Sequence, residues 1–353
     1  MSETSKVGPV REEHRFNEAA LDAWLRENVR GGRPESVAIE QFDAGQSNPT
    51  FRLTYPDERW VLRKKPPGEL LPKAHQVLRE ARVMQALAST DVPVPEIGGF
   101  TDDASIIGTD FFVMRHVDGR ILKDGRLPDQ TPAERTAMGH EMASVLARIH
   151  GVNLEAAGLS DFGRQGGYIE RQIATWSKQY ERAATDPIPE MDQLMAWLPK
   201  NIPGGSQTTL VHGDYRVDNL MWAPEATQVV AVLDWELSTL GDPLADLAYA
   251  CLPYLIPTPY HPPLSTVAGG ESGLLTMSAF VESYVEASGN RADNLDYYIA
   301  FSMFRLVSIL QGVYARGLQG NASSTSALQM GALARMLAEH AWKGVEKGSF
   351  SED

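Results

Sequence analysis

Apolar positions recur in two rhythms along this chain, and the rhythm changes near residue 120. After a polar start, Phe16, Ala20, Trp24 and Leu25 fall on one side of a helix predicted over residues 16–29 and closed by Gly31 and Gly32. Residues 36–42, 50–55 and 60–63 then alternate as strands do, with YPDER as a turn between the last two. Helical spacing returns over 71–88, where Val77, Ala81, Met84 and Ala88 form the stripe, and 111–117 reads as one more apolar strand. Beyond it helices dominate. Thr131-Pro-Ala-Glu134 is a capping box ahead of a helix carrying Met138, Met142, Val145, Leu146 and Ile149. Further helices are predicted over 168–184, around Met277–Val285, and over 295–317 and 326–347, with 257–273 a long loop. A small antiparallel sheet thus precedes a larger helical section, with a hinge near 117–120. A cleft between two such sections is the usual place for a ligand.

One stretch breaks the helical rhythm. LMW (220–222) and QVVAVL (228–233) are short apolar runs joined by a Pro-containing link, which predicts a hairpin. The hairpin would return the chain from the loop HGDYRVDN, His212–Asn219, to Asp234, and so place Asp234 beside Asn219 with Asp214 a few residues away. An amide oxygen next to carboxylates is a hard-donor set suited to magnesium.

The chain has 353 residues, enough for two domains, and a net charge of −14. That charge argues against a nucleic-acid partner, because affinity for the phosphate backbone comes from clustered Lys and Arg. The charge is uneven, however. Eight basic residues face four acids between Arg52 and Arg82, including the triplet Arg63-Lys64-Lys65 at a strand end, so this section could hold a small anion. The single cysteine, Cys251, leaves no disulfide framework and no thiolate metal site. With no cationic leader and no apolar run approaching ~20 residues, a cytoplasmic protein is expected, with no membrane association and no obligate protein partner.

His212-Gly-Asp214-Tyr-Arg-Val-Asp-Asn219 fits the pattern H-x-D-x-x-x-x-N, and Asp234 follows at the end of the hairpin. Together with VLRKKPPG, MRHVDGR, FGRQGGYIERQ and LDWELSTLGDPLADLA, this resembles the aminoglycoside phosphotransferase and choline kinase-like family. Within that family the likeness is to the kinase-like domain fused to some acyl-CoA dehydrogenases, and it runs from the first strand to the last helices. The resemblance implies an α+β, protein-kinase-like two-lobe fold. Residues 1–117 would be an N-lobe of nucleotide-binding sheet plus one helix, and 118–353 a C-lobe with the catalytic loop, metal site and acceptor-binding helices. It also implies ATP- and magnesium-dependent phosphoryl transfer to a hydroxyl of a small molecule, a reaction in which positioning and charge neutralisation do most of the work.

By the same resemblance Asp214 would orient the acceptor hydroxyl and take its proton, while Asn219 and Asp234 would hold magnesium against the ATP phosphates. Ser47 and Asn48 match the turn that covers the phosphates. Arg63 or Lys65 would grip them, steadied by Glu80. Met114 would lie behind the adenine, with the Arg115 carbonyl and the Val117 amide making hinge hydrogen bonds. The sequence departs from the pattern at Arg63, where kinases carry lysine; which of Arg63 and Lys65 serves stays open. His212 and Asp242 are expected to hold the loop, Asp218 to cap or pair, and His116 to face solvent. Asp161-Phe-Gly163 spells the kinase metal motif but precedes the HxD loop, so a turn is expected there.

The acceptor is less legible. The likeness to dehydrogenase-fused domains suggests a hydroxyacyl-CoA or a hydroxy acid, although no dehydrogenase domain is expected in this chain. An anionic acceptor needs cations among the helices, for which Arg216, Arg305 and Arg316 are candidates. An aminoglycoside or amino-alcohol is the alternative acceptor. A catalytically silent nucleotide-binding or scaffold protein is the alternative function, favoured only by Arg63. A metal-assisted hydrolase fits less well, because clustered histidines are missing.

Overall fold

Strands β1 (Val7–Gly8), β2 (Ala38–Phe42), β3 (Thr50–Thr54), β4 (Arg59–Lys64), β5 (Ile97–Thr101) and β6 (Phe111–Arg115) form one antiparallel sheet in the order β1-β2-β3-β4-β6-β5. The computed structural model describes residues 6–33, 35–43, 48–66, 76–205, 207–257, 262–319 and 327–350. Helix α1 (Glu18–Asn28) starts at Asn17, whose side chain accepts from the Ala20 amide. It buries Leu21 and Leu25 against Phe51, Leu53, Trp60, Leu62, Phe111 and Val113. Period-two alternation then sends Val61 and Arg63 of β4 to the opposite face. There α2 (Val77–Leu87) packs against β5 and β6 with Val77, Glu80, Ala81, Val83, Met84 and Leu87 buried. The predicted start of this helix, 71–75, lies outside the described residues. A single turn of helix, α3 (Ala104–Ile107), separates β5 from β6.

The predicted hairpin forms. After the two-residue strand β7 (Arg120–Ile121), the chain runs through α4 (Pro132–His150), α5 (Tyr168–Ala183), α6 (Pro189–Trp197) and the short strand β8 (Thr209–Val211) into β9 (Leu220–Trp222) and β10 (Val229–Val232). Val232 pairs with Leu220 and Ala231 with Met221, and a bulge precedes the Val229–Trp222 pair. β7 adds a third strand, matching Arg120 to Trp222 and Ile121 to Met221. The Arg120 guanidinium donates to the carbonyls of Ala223 and Ala226, and the Val232 amide donates to the Pro93 carbonyl at 2.8 Å.

These bonds decide how the chain divides. One compact unit comprises residues 1–129, 153–159 and 216–238; the other comprises 130–152, 160–215 and 239–353. The sequence placed everything after residue 117 in the helical lobe. By internal packing, the hairpin and the Asn219–Asp234 segment fall in the unit that holds the sheet. The border falls inside the central loop, between Tyr215 and Arg216.

The second unit is helical apart from β8 and its antiparallel partner β11 (Thr239–Gly241). Helices α7 (Pro243–Leu255), α8 (Met277–Ser288), α9 (Leu295–Leu318) and α10 (Met330–Lys347) follow. α9 packs against α5, α7 and α10, and α4 against α8. The capping box at Thr131 and Glu134 is present in full. Gly273 (φ 74°) lies so close to the start of α4 that a Cβ there would meet the Pro132 carbonyl oxygen at 2.0 Å. Contrary to the sequence reading, one helix, α9, is long and apolar enough to cross a membrane by length and composition; 56% of its apolar window is buried inside this unit, as in a core helix. The sequence missed α6, which is nine residues long and starts on Pro189.

Candidate active site

The site residues fall in both units. In the first, Arg63, the last but one residue of β4, faces α2, and its side chain is 14% exposed. Arg63 Nη2 donates to Asp234 Oδ1 at 2.7 Å and lies 4.0 Å from Glu236 Oε2. Its Nε is 3.1 Å from Glu80 Oε2, within ion-pair distance, but the two atoms are not aligned for a hydrogen bond. One guanidinium thus faces three carboxylates. Burial pushes Glu80 up to about 7; Arg63 pulls it down, while Asp234 and Glu236 push it higher. Burial alone would weaken the Arg63 proton, but the surrounding carboxylates outweigh it and raise its affinity.

Asp234 is one of three described non-glycine residues with positive φ, at φ 63° and ψ 60°. A left-handed aspartate is an uncommon conformation that must be held by its surroundings. Here the Leu233 amide donates to the Asn219 carbonyl at 2.9 Å, which draws Asn219 and the Asp234 backbone together as the hairpin predicted. Asn48 is 1% exposed and donates to Glu236 Oε2 at 3.2 Å, tying the end of the β2–β3 connection to this cluster. Ser47 lies outside the described residues. Lys65 sits beyond the end of β4 and is paired with Asp110. Of the two candidate cations, the structure therefore brings Arg63 to Glu80 and Asp234.

At the hinge, Met114 and Arg115 end β6 and Val117 follows in irregular backbone. The Arg115 guanidinium stacks over Trp60 at 4.6 Å and bonds to Glu58. His116 was expected to face solvent. Its side chain is only 17% exposed, 3.7 Å from Asp118, and burial together with Arg59 disfavours its charged form. Asp218 pairs with Arg216.

In the second unit the loop after β8 is pinned by Asp246 on the first turn of α7. Asp246 Oδ2 accepts from the His212 amide at 2.6 Å, and Oδ1 from the Gly213 amide at 2.8 Å. Gly213 has φ 83°, a conformation that costs glycine little and lets consecutive amides converge on one carboxylate. His150 approaches the same carboxylate at 3.4 Å and is held through Nδ1 by Tyr284. Burial alone would raise the Asp246 carboxyl, but these donors bring it below the ordinary value. Asp242 caps α7 and accepts from Tyr298, as befits its expected structural role. His212 is fully buried, its Nδ1 3.3 Å from the Asp214 amide.

Asp214 accepts from the Tyr249 hydroxyl at 2.7 Å through Oδ1. Arg305 donates to the Gly213 carbonyl at 2.8 Å, one residue away. The Asp161-Phe-Gly163 stretch is a turn, its Phe162 buried and Gly163 tight against Thr239 and Leu240. The sequence reading missed Tyr249, His150 and Glu236. Tyr249 follows Asp246 by three residues on α7, so both face the same side of the helix, and that spacing was a readable signal.

Residues 38–274 match the model of the phosphotransferase enzyme family (APH). The chain belongs to that family. Among its relatives, the mouse acyl-CoA dehydrogenase family member 10 is 46% identical over 346 residues, covering 97% of this chain but 32% of that protein. The chain thus spans about a third of that relative's length. A solved Ralstonia eutropha protein carrying a provisional aminoglycoside phosphotransferase name is 43% identical, with a TM-score of 0.87 over 94% of this chain and 99% of that one. An aminoglycoside phosphotransferase solved with AMP-PNP and hygromycin B shares the fold, with a TM-score of 0.60 over 92% of this chain and 98% of that one, at 17% identity. The family fold is kinase-like, with an antiparallel-sheet N-lobe and a mostly helical C-lobe. Family and neighbours make this chain a relative of small-molecule phosphotransferases.

Proposed function

We propose that the protein is an ATP- and magnesium-dependent phosphotransferase acting on a hydroxyl of a small anionic molecule, a hydroxyacyl-CoA or a hydroxy acid. The observation that carries the reading is the crowding of Glu80, Asp234 and Glu236 around Arg63. Even with Glu80 protonated, Asp234 and Glu236 outnumber the one guanidinium, a surplus of negative charge that a divalent cation would offset.

The donor chemistry fits magnesium. Asp234 is partly exposed, Asn219 adjoins it through the hairpin, and both offer oxygen. No group of three or more His, Cys, Asp or Glu that could hold a metal exists among the described residues, and magnesium is commonly held by one or two carboxylates together with substrate phosphates. Bound there, magnesium would neutralise charge on the transferring phosphoryl group. Arg63, kept charged by its neighbours, would pair with phosphate oxygens, for which a guanidinium is well shaped. Asp214, which accepts from the Tyr249 hydroxyl, would receive the acceptor proton. Asn48, Met114, Arg115 and Val117 would frame the nucleotide.

The acceptor class follows from the resemblance to dehydrogenase-fused domains, and the relatives' names accord with it. The test is an ATP-consumption screen over hydroxyacyl-CoAs, hydroxy acids, aminoglycosides and amino-alcohols, with Asp214→Asn as control. Turnover should fall about 10²- to 10⁴-fold in the variant, the usual worth of a general base. If wild type turns over no acceptor and matches the variant throughout, the silent nucleotide-binder is the better reading.

A further inference from the structure

Arg305 lies in the middle of α9, a helix whose neighbouring positions Met303, Phe304 and Val307 are fully buried. Its guanidinium sits 5.6 Å from the Trp176 ring of α5 and 5.4 Å from the Tyr249 ring of α7. One of its nitrogens, Nη2, donates to the Gly213 carbonyl; Nε is buried without a hydrogen-bond partner among the described residues. No carboxylate lies within ion-pair distance of Arg305 among the described residues. Several other buried or half-buried arginines among the described residues are answered by an acid: Arg30 by Glu58 and Asp57, Arg63 by Asp234, Arg126 by Asp124 and Arg148 by Glu141.

A half-buried cation held only by two ring faces and one carbonyl is incompletely compensated. Its place explains why it is tolerated. Tyr249 presents its ring to Arg305 and its hydroxyl to Asp214, so one tyrosine links this cation to the carboxylate assigned to the acceptor. Trp176, Tyr249 and Arg305 are each partly exposed, so a small molecule can reach them.

We propose that Arg305, framed by Trp176 and Tyr249, is the acceptor-specificity residue and binds an anionic oxygen of the acceptor. The proposal rests on the phosphotransferase reading and deepens it. A carboxylate of a free hydroxy acid or a phosphate of a hydroxyacyl-CoA would supply the missing counter-charge; a polycationic aminoglycoside would be repelled. Recognition is then by charge on the acceptor side, separate from the Arg63 cluster that serves the nucleotide.

The test uses 3- and 4-hydroxy acids of four to ten carbons, their CoA thioesters and their methyl esters, the last matching the acids in shape without the charge. Affinity is measured by calorimetry with magnesium and AMP-PNP present, and KM and kcat with ATP. The variants are Arg305→Gln, which keeps a donor for the Gly213 carbonyl, and Arg305→Lys, which keeps the charge. Charged members should bind and methyl esters should not. Arg305→Gln should weaken binding of the best charged member and raise its KM about tenfold to a hundredfold, the worth of a charge-assisted hydrogen bond. Its kcat should change less than about threefold, with AMP-PNP affinity unchanged; Arg305→Lys should recover part of the loss. Preference between acids and thioesters identifies the source of the anion. Equal binding of methyl esters, unchanged affinity in Arg305→Gln, or no binding by any member would overturn the proposal. Charge-dependent binding that Arg305→Gln abolishes, with no turnover of any member, would keep the anion site and remove the phosphotransferase reading instead.

Discussion

Each unit buries a carboxylate beside its share of the central loop, and the two are treated in opposite ways. Asp246 receives two aligned backbone amides and approaches His150, and its ionised form is favoured despite complete burial. Glu80, equally buried, has one backbone donor, Trp235, a guanidinium at 3.1 Å that is not aligned to bond, and two more carboxylates nearby, so its neutral form is favoured up to about 7. Burial costs both acids similarly, so the direction and number of donors decide which is a latch and which is charge held in reserve. Asp246 fixes the shape of the HxD loop. Glu80 sits in a cluster whose negative surplus is useful only when something positive arrives.

The sharpest way to break this contrast is Asp246→Ala. It leaves two buried amides and His150 without their acceptor, and should cost about 3–5 kcal/mol of stability by denaturant unfolding. Because the Asp246 carboxyl is depressed in the folded state, its contribution is present above the ordinary carboxylate range and lost as pH falls through the lower folded value. The variant should therefore lose most against wild type at neutral pH and less in strong acid. A loss under about 1 kcal/mol at pH 7 would show that the latch is not the carboxylate.

Glu80→Gln should behave oppositely. The folded-state value near 7 exceeds the ordinary carboxylate value, so the folded protein holds a proton that the unfolded chain has released. Stability from this group then falls as pH rises from about 4.5 to about 7, by at most roughly 3 kcal/mol. The glutamine variant, without magnesium or nucleotide, should lack that slope and be at least as stable as wild type at pH 8. A clear loss of stability there would mean that the Arg63 contact outweighs burial. The smallest effect belongs to Thr131→Ala, away from both acids. Losing the capping box should cost about 1 kcal/mol in thermal unfolding with the pH profile unchanged.

Much of this was legible because the hairpin, the helical stripes and the HxD loop are local patterns. The Val232–Leu220 register and the return of Asp234 to Asn219 follow from two apolar runs and a turn. The choice between Arg63 and Lys65 was not legible. Both lie on one nominal strand face, but β4 ends at Lys64, and Asp110, 45 residues away, claims Lys65. Nor was the burial of His116, whose side chain is 17% exposed. The pairing of β7 with β9 was not legible either, because it joins residues about a hundred apart.

By itself the sequence determined the change from sheet to helices, the central hairpin, the HxDxxxxN motif and the family, since residue type and spacing along the chain carry all four. Only the tertiary structure decided which cation meets Asp234, which tyrosine holds Asp214 and which rings flank Arg305. Those outcomes depend on where charges from distant segments meet in a low-dielectric interior, where a few ångströms set whether a charge is answered.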